Sequence, residues 1–219
     1  MGSVKSLITR RIGKRRPALK KRTGSNAEYQ LTLKQIEEII NASHCLRDRV
    51  LIQILAFTGI RRAETATLEV NDILWKEKLL IIRFGKGNKQ RLVPLPDFVL
   101  EGIQSLIGQR TTGAIFLNRN GQELSCRQLN RIVAKVGKDA RVSNPNPKHG
   151  NITCHLFRHS FARHWKDQQG SIESLSKILG HTSVKTTWDL YGTESFEDIQ
   201  KNYEKIIRKF KQGRKDEIP

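Results

Sequence analysis

A chain of 219 residues, 37% of them hydrophobic, is long enough to bury a core of its own. Forty Lys and Arg against twenty-one Asp and Glu leave it at +19 with a pI near 10.3. That balance points to a polyanionic partner: nucleic acid first, with a ribosomal-type role or an anionic membrane surface as plainer readings. No apolar run reaches the roughly 18 residues that span a bilayer, and none follows the N-terminus as a signal peptide would. Cys45, Cys126 and Cys154 are odd in number and show no CxxC spacing, so they imply neither a disulfide framework nor a zinc knuckle and fit a reducing, intracellular setting.

Residues 2–26 are basic and poor in core formers, with no acid before Glu28. They read as an arm that orders on a phosphate backbone, or as a solvated tail. Folded structure is expected from Leu31. Thr32 and Gln35 form a capping box, and Ile36, Ile39 and Ile40 recur at helical spacing. A second helix is predicted over residues 46–57, with Val50, Leu51, Ile54 and Leu55 as its buried stripe and Gly59 past its end. Arg61 then falls between that stop and a third helix at 63–68, where a rigid scaffold can aim a side chain.

Residues 79–84 are strand-like, 85–90 turn, and 91–94 return as a strand, which predicts a hairpin with Lys86 at its tip between two glycines. Such a lysine can reach into a bound ligand, or can simply be a solvated turn residue. A helix follows at 97–107, a short strand is expected at 114–118, and Ser125 and Gln128 box a helix running to about Lys138. Residues 143–151, rich in Pro, Gly and Asn, form a loop that delivers the chain to His155. The next helix turns Leu156, Phe161 and Trp165 inward. Ser171 caps a further one that Gly180 stops, and His181 comes next. A short helical turn leads to Tyr191. A last helix from Ser195 carries Phe196, Ile199, Tyr203, Ile206, Ile207 and Phe210 and ends basic.

Two arginines, two histidines and a tyrosine are the parts needed to hold a phosphodiester and attack it with a phenol. Arg61 and Arg158 can each grip two non-bridging oxygens and stabilise a pentacoordinate transition state, although an arginine in so basic a chain is ordinarily at the surface. Arg62 is the internal control, since only one of two neighbours can point into a site. His155 and His159 share a helix face as metal-binding pairs do, but Leu156 stands where HExxH needs Glu and no third ligand is near. A neutral imidazole can instead bond a phosphate or take a proton. For His159 a satisfied core histidine is the plainer expectation. His164 reads as a surface residue, and Cys154 as packing. Tyr191 is the candidate nucleophile, whose phosphotyrosyl bond would conserve the energy of the broken diester. Tyr29 and Tyr203 illustrate the alternative, a tyrosine that only packs.

Five motifs together resemble the tyrosine recombinase (phage integrase and Xer-like) family over about residues 31–209: TGIRRAE at 58–64, GKGNKQRLVPL at 85–95, HLFRHSFA at 155–162, LGH at 179–181 and TTWDLY at 186–191. The resemblance implies an α+β fold, mainly α with a small antiparallel β-sheet, as in the catalytic domain of such recombinases. It implies Arg61 and Arg158 as a phosphate clamp, Lys86 as general acid to the leaving 5′ hydroxyl, His155 and His181 as base or phosphate-binding groups, Tyr191 as nucleophile and Glu64 as a supporting acid. The implied reaction is site-specific recombination of double-stranded DNA through a 3′-phosphotyrosyl link and a Holliday junction. It runs in a DNA-bound tetramer of the chain with other copies of itself, in the cytoplasm and away from membranes. No cofactor is implied, neither ATP nor a divalent metal.

The expected organisation is a basic arm at 1–28, a catalytic domain at 29–211 and a basic, polar tail at 212–219. Such recombinases usually carry a separate core-binding domain ahead of the catalytic one. Here about thirty basic residues precede the first helix, as in a catalytic fragment or a minimal recombinase. The competing activities are type IB topoisomerase-like relaxation, a non-catalytic DNA-binding regulator on the same fold, and RNA binding, which lacks the usual aromatic-rich motif.

Overall fold

The computed structural model describes residues 29–83, 90–180 and 196–216, without the side chains of Phe196 and of residues 209–216. Eight α-helices are described: α1 (Leu33–Asn41), α2 (Leu46–Thr58), α3 (Arg62–Ala66), α4 (Asp97–Ile107), α5 (Cys126–Asp139), α6 (Cys154–Asp167), α7 (Ile172–Leu179) and α8 (Phe196–Asp216). Three strands, β1 (Ile73–Leu74), β2 (Leu79–Ile82) and β3 (Arg91–Pro94), form an antiparallel sheet in sequence order. The chain is thus mainly α with one small antiparallel sheet. Among the described residues no helix is long and apolar enough to cross a membrane.

Local chemistry sets most boundaries. The Thr32 hydroxyl accepts from the Gln35 amide at 3.1 Å while the Gln35 side chain accepts from the Thr32 amide at 2.9 Å, so α1 starts with two otherwise orphaned donors satisfied. Ser125 and Gln128 repeat the arrangement at α5. Helix α2 is the hub. It packs against α1, α4, α5 and α6, and Val50, Leu51, Ile52, Ile54, Leu55, Ala56 and Phe57 are all buried on it. The expected four-residue stripe is therefore too narrow. A helix surrounded by others is apolar almost all round, and each fully buried Leu or Ile contributes about 1.5–3 kcal/mol.

Helix α8 returns to this hub. Ile199, Tyr203, Ile206 and Ile207 are buried on one face, and the Tyr203 hydroxyl donates to the Phe57 carbonyl at 2.7 Å. The Trp165 ring lies 6.2 Å from that of Tyr203, and its indole N–H donates to Ser171 O at 2.7 Å. On one face of the sheet, where β2 meets β3, the buried Leu80 stands opposite Val93 and the buried Ile82 opposite Arg91.

Three expectations change. The third helix starts and ends earlier than 63–68, because the Glu64 carboxylate caps the Arg61 amide. Residues 114–118 are not a strand: Ala114 and Leu117 make only isolated bridges to Glu69 and Glu123. Arg110 instead donates to the carbonyls of Ala114 and Ile115. His164 is not a plain surface residue: its Nε2 lies 2.7 Å from Leu31 O and ties the start of the fold to α6. The hairpin tip with Lys86, and the segment with His181 and Tyr191, lie outside the described residues.

Candidate active site

Two helix ends and one helix start converge here. Helix α2 stops at Gly59, whose backbone takes the left-handed conformation at φ 62°. A Cβ there would stand 2.6 Å from Phe161 Cδ1 and 2.8 Å from Leu179 Cδ2. Glycine is thus needed both for the turn and for the approach of α6 and α7. The turn hands the chain to Arg61, the N-cap of α3. Helix α7 stops the same way at Gly180, φ 62°. Helix α6 begins at Thr153, whose hydroxyl accepts from the Leu156 amide at 3.2 Å, so His155 stands in its first turn and Arg158 one turn on.

The carbonyl oxygens that end α7 are taken up by arginines. Arg91 Nε donates to Ile178 O at 2.8 Å, Arg158 Nη2 to Leu179 O at 2.8 Å, and Arg61 Nη2 to Gly180 O at 3.0 Å. Arg158 Nη1 also reaches Gly59 O at 2.6 Å. A helix C-terminus is the negative end of its dipole, and cations there are favourable. Glu64, almost wholly buried, balances part of the charge. Its Oε1 accepts from Arg61 Nη1 at 2.8 Å and Arg91 Nη1 at 2.9 Å, and its Oε2 from the Arg61 amide and Arg91 Nη2, both at 2.7 Å.

The electrostatics follow. Burial alone would raise the Glu64 carboxyl, but the hydrogen bonds and charges of Arg91 and Arg61 hold it down at about 2. Burial lowers the Arg158 guanidinium to about 10; the positive charges of Arg61 and Arg91 push the same way and Glu64 opposes them. It stays charged at neutral pH. His155 has an exposed edge, yet the packing beneath it, then His159 and Arg158, lower its pKa below the ordinary histidine value. Each guanidinium carries five N–H donors, and Arg61 and Arg158 each use two in the bonds above. Three guanidinium groups against one carboxylate, with donors to spare beside a neutral imidazole, suit an oxyanion.

The structure thus brings Arg61, Arg158 and His155 together and turns Arg62 outward, exposed. Lys86, His181 and Tyr191 lie outside the described residues. The Nε2 of His159 is buried and has no hydrogen-bond partner among the described residues. Cys154 is buried, with burial raising its thiol to about 11, as suits packing. Tyr203 is buried too, and burial raises its phenol well above the ordinary value. Sequence reading gave Arg91 no role. The signal was present, because Arg91 pairs with Ile82 and direct cross-strand partners share a face. With Ile82 buried, Arg91 must point inward and find a carboxylate.

Comparisons with known proteins place the chain in a family and a fold. The profile described as the phage integrase family matches residues 29–198. Tyrosine recombinase XerD of Staphylococcus epidermidis is 34% identical over 165 residues, 72% of this chain and 53% of that protein. Tyrosine recombinase XerA of Pyrococcus furiosus is 30% identical over 164 residues, 72% of this chain and 54% of that protein. The chain spans about half the length of these curated relatives. Among solved structures, an XerA recombinase superposes with a TM-score of 0.63 at 23% identity, covering 85% of this chain and 66% of that one. A XerH site-specific recombinase bound to its difH substrate in a pre-cleavage complex gives 0.57 at 23% identity, covering 78% and 52%. At those identities the likeness is one of fold.

Proposed function

The chain belongs to the phage integrase family, and on that premise we propose that it recombines double-stranded DNA at specific sites by breaking and rejoining strands. The convergence of Arg61 and Arg158 on the end of α7, beside His155, carries this reading. Such a site grips a phosphodiester through charge and directed N–H groups, and it does so where burial strengthens both.

In the proposed step the Tyr191 phenol oxygen attacks the phosphorus. A P–O bond to Tyr191 forms as the bond to the 5′ oxygen breaks. The phenol proton leaves toward a neutral base, for which His155 or His181 is suited, and the departing 5′ oxygen takes a proton from Lys86. Arg61 and Arg158 hold the charge on the non-bridging oxygens. The free 5′ hydroxyl then attacks the phosphotyrosyl link on a partner duplex: a P–O bond to the 5′ oxygen forms, the bond to the Tyr191 of the copy held there breaks, and that phenolate takes up a proton as the hydroxyl gives one up. The reciprocal exchange of the second strand completes a Holliday junction. The assembly is a tetramer of copies on DNA.

Covalent trapping tests this. Protein, supercoiled plasmid and EDTA are mixed, quenched in SDS and scored for a DNA-linked band, with Tyr191→Phe alongside. An adduct that disappears in the variant supports the reading. Salt-sensitive binding with no adduct would favour a non-catalytic DNA-binding role, and relaxed topoisomers without junctions a topoisomerase.

A further inference from the structure

Arg91 belongs to none of the roles above, yet it makes three polar bonds of its own at the site. Its Nη1 and Nη2 grip both oxygens of Glu64 at 2.9 and 2.7 Å, and its Nε holds Ile178 O at 2.8 Å. Its side chain is 10% exposed, against 30% for Arg61. Arg91 is therefore poorly placed to meet DNA itself, and Arg61 is better placed.

We propose that Arg91 is a positioning residue for the strand cleavage proposed above. It takes up the Glu64 carboxylate and the end of α7, so that Arg61 keeps donors for the phosphate. Glu64 accepts four hydrogen bonds, two from Arg91 and two from Arg61, one of these from the Arg61 backbone. A carboxylate has about four lone-pair sites, all of them filled here. Without Arg91, two sites open on a side chain only 4% exposed, where water cannot replace the lost donors. Arg61 is the cation already in contact. It would swing into a two-pronged pair with Glu64 and give up Gly180 O and its free edge.

Gly180 gives independent support. A Cβ on it would lie 3.0 Å from Arg91 Cδ and 3.1 Å from Arg91 Nε. The end of α7 is thus seated directly on the Arg91 side chain. Arg91 also lies in β3, opposite the last residue of β2, so it joins the sheet to the arginine cluster.

This inference rests on the recombinase reading, and its test separates the two. Arg91→Lys keeps the charge but cannot bridge both carboxylate oxygens and Ile178 O at once. In the trapping assay its rate of adduct formation is expected to fall 10- to 100-fold, while plasmid affinity stays within threefold and the protein remains folded at the assay temperature. Adding Glu64→Gln should bring the double variant to the rate of Glu64→Gln alone, because Arg91 then has no carboxylate to restrain. That comparison also serves if Arg91→Lys by itself does not fold.

A rate within threefold of wild type, a loss that tracks the unfolded fraction, or a double variant tenfold slower than Glu64→Gln would each overturn the proposal. A readout free of activity is the guanidinium NMR signal of Arg61 in arginine-labelled protein, assigned with Arg61→Lys. Its Nε and Nη resonances should shift in Arg91→Lys, and unmoved resonances would refute the role. If wild type itself forms no adduct, the recombinase reading fails and the NMR result alone decides on Arg91.

Discussion

Arg158 and Arg61 donate to carbonyl oxygens one residue apart, Leu179 O at 2.8 Å and Gly180 O at 3.0 Å, although one lies in α6 and the other is the N-cap of α3. The left-handed turn at Gly180 makes this possible, because it ends α7 with those carbonyls turned toward the arginines and not into another turn of helix. The spacing of the two guanidinium groups is thereby set by backbone, the stiffest part available.

Gly59→Ala and Gly180→Ala should both destabilise the protein, in that order of severity. Each forces an L-residue to φ 62°, which costs roughly 1–2 kcal/mol. The new Cβ at 59 would also meet Phe161 at 2.6 Å, and Phe161 is fully buried and cannot yield. At 180 it would meet the Arg91 side chain at 3.0 Å. Urea unfolding at neutral pH is expected to show losses of about 1–2 kcal/mol for Gly180→Ala and at least about 3 kcal/mol for Gly59→Ala. Equal and small losses would mean that the two turns relax freely.

Glu64 should make stability acid-sensitive. Its folded carboxyl titrates at about 2 against an ordinary 4.5, so the folded state binds its proton less readily than the unfolded chain. The contribution is complete above about pH 4.5 and disappears as pH falls toward 2; the shift corresponds to roughly 3 kcal/mol. Glu64→Gln should unfold more easily at neutral pH, by about 3 kcal/mol, because Arg91 loses its counter-charge in a buried place. It should also lose stability less steeply than wild type between pH 4.5 and 2. Parallel acid-unfolding curves for the two proteins would contradict this account.

How much of this could be read in advance depended on whether the cause was local. Capping boxes at Thr32 and Ser125 and helix stops at Gly59 and Gly180 are encoded within a few residues, and the helices begin and end where those signals stand. Arg61 and Arg158 were visible because their motifs sit beside such signals. For Arg91 the hairpin register told only that it faces inward; its partners Glu64 and Ile178 are distant in the chain and only the fold brings them together. Residues 114–118 failed for the opposite reason: apolar residues in a row suggested a strand, but the carbonyls there bind Arg110.

Helix α8 should be held to the hub chiefly by the Tyr203 ring. Tyr203→Phe removes one hydrogen bond to Phe57 O and is expected to cost about 1 kcal/mol. Tyr203→Ala would also empty the space between Trp165 and α2, with a loss of about 3–5 kcal/mol. Urea midpoints for the two variants give the ratio directly. A Phe variant as damaged as the Ala variant would shift the weight from ring packing to the hydroxyl.

His155 should remain neutral below the pH at which an ordinary histidine protonates. Burial, then His159 and Arg158, all disfavour its charged form. If the neutral imidazole takes part in cleavage, adduct formation on plasmid DNA should hold steady as pH falls through 6.5 and decline only at more acidic values. Removing one of the two neighbouring charges with His159→Asn should move that acid limb back toward the ordinary value, because a smaller positive field favours protonation. An NMR titration of the His155 ring protons checks the shift without any substrate. A midpoint at or above 6.5 in wild type, or no upward movement in His159→Asn, would remove the electrostatic basis for a neutral His155 beside two guanidinium groups.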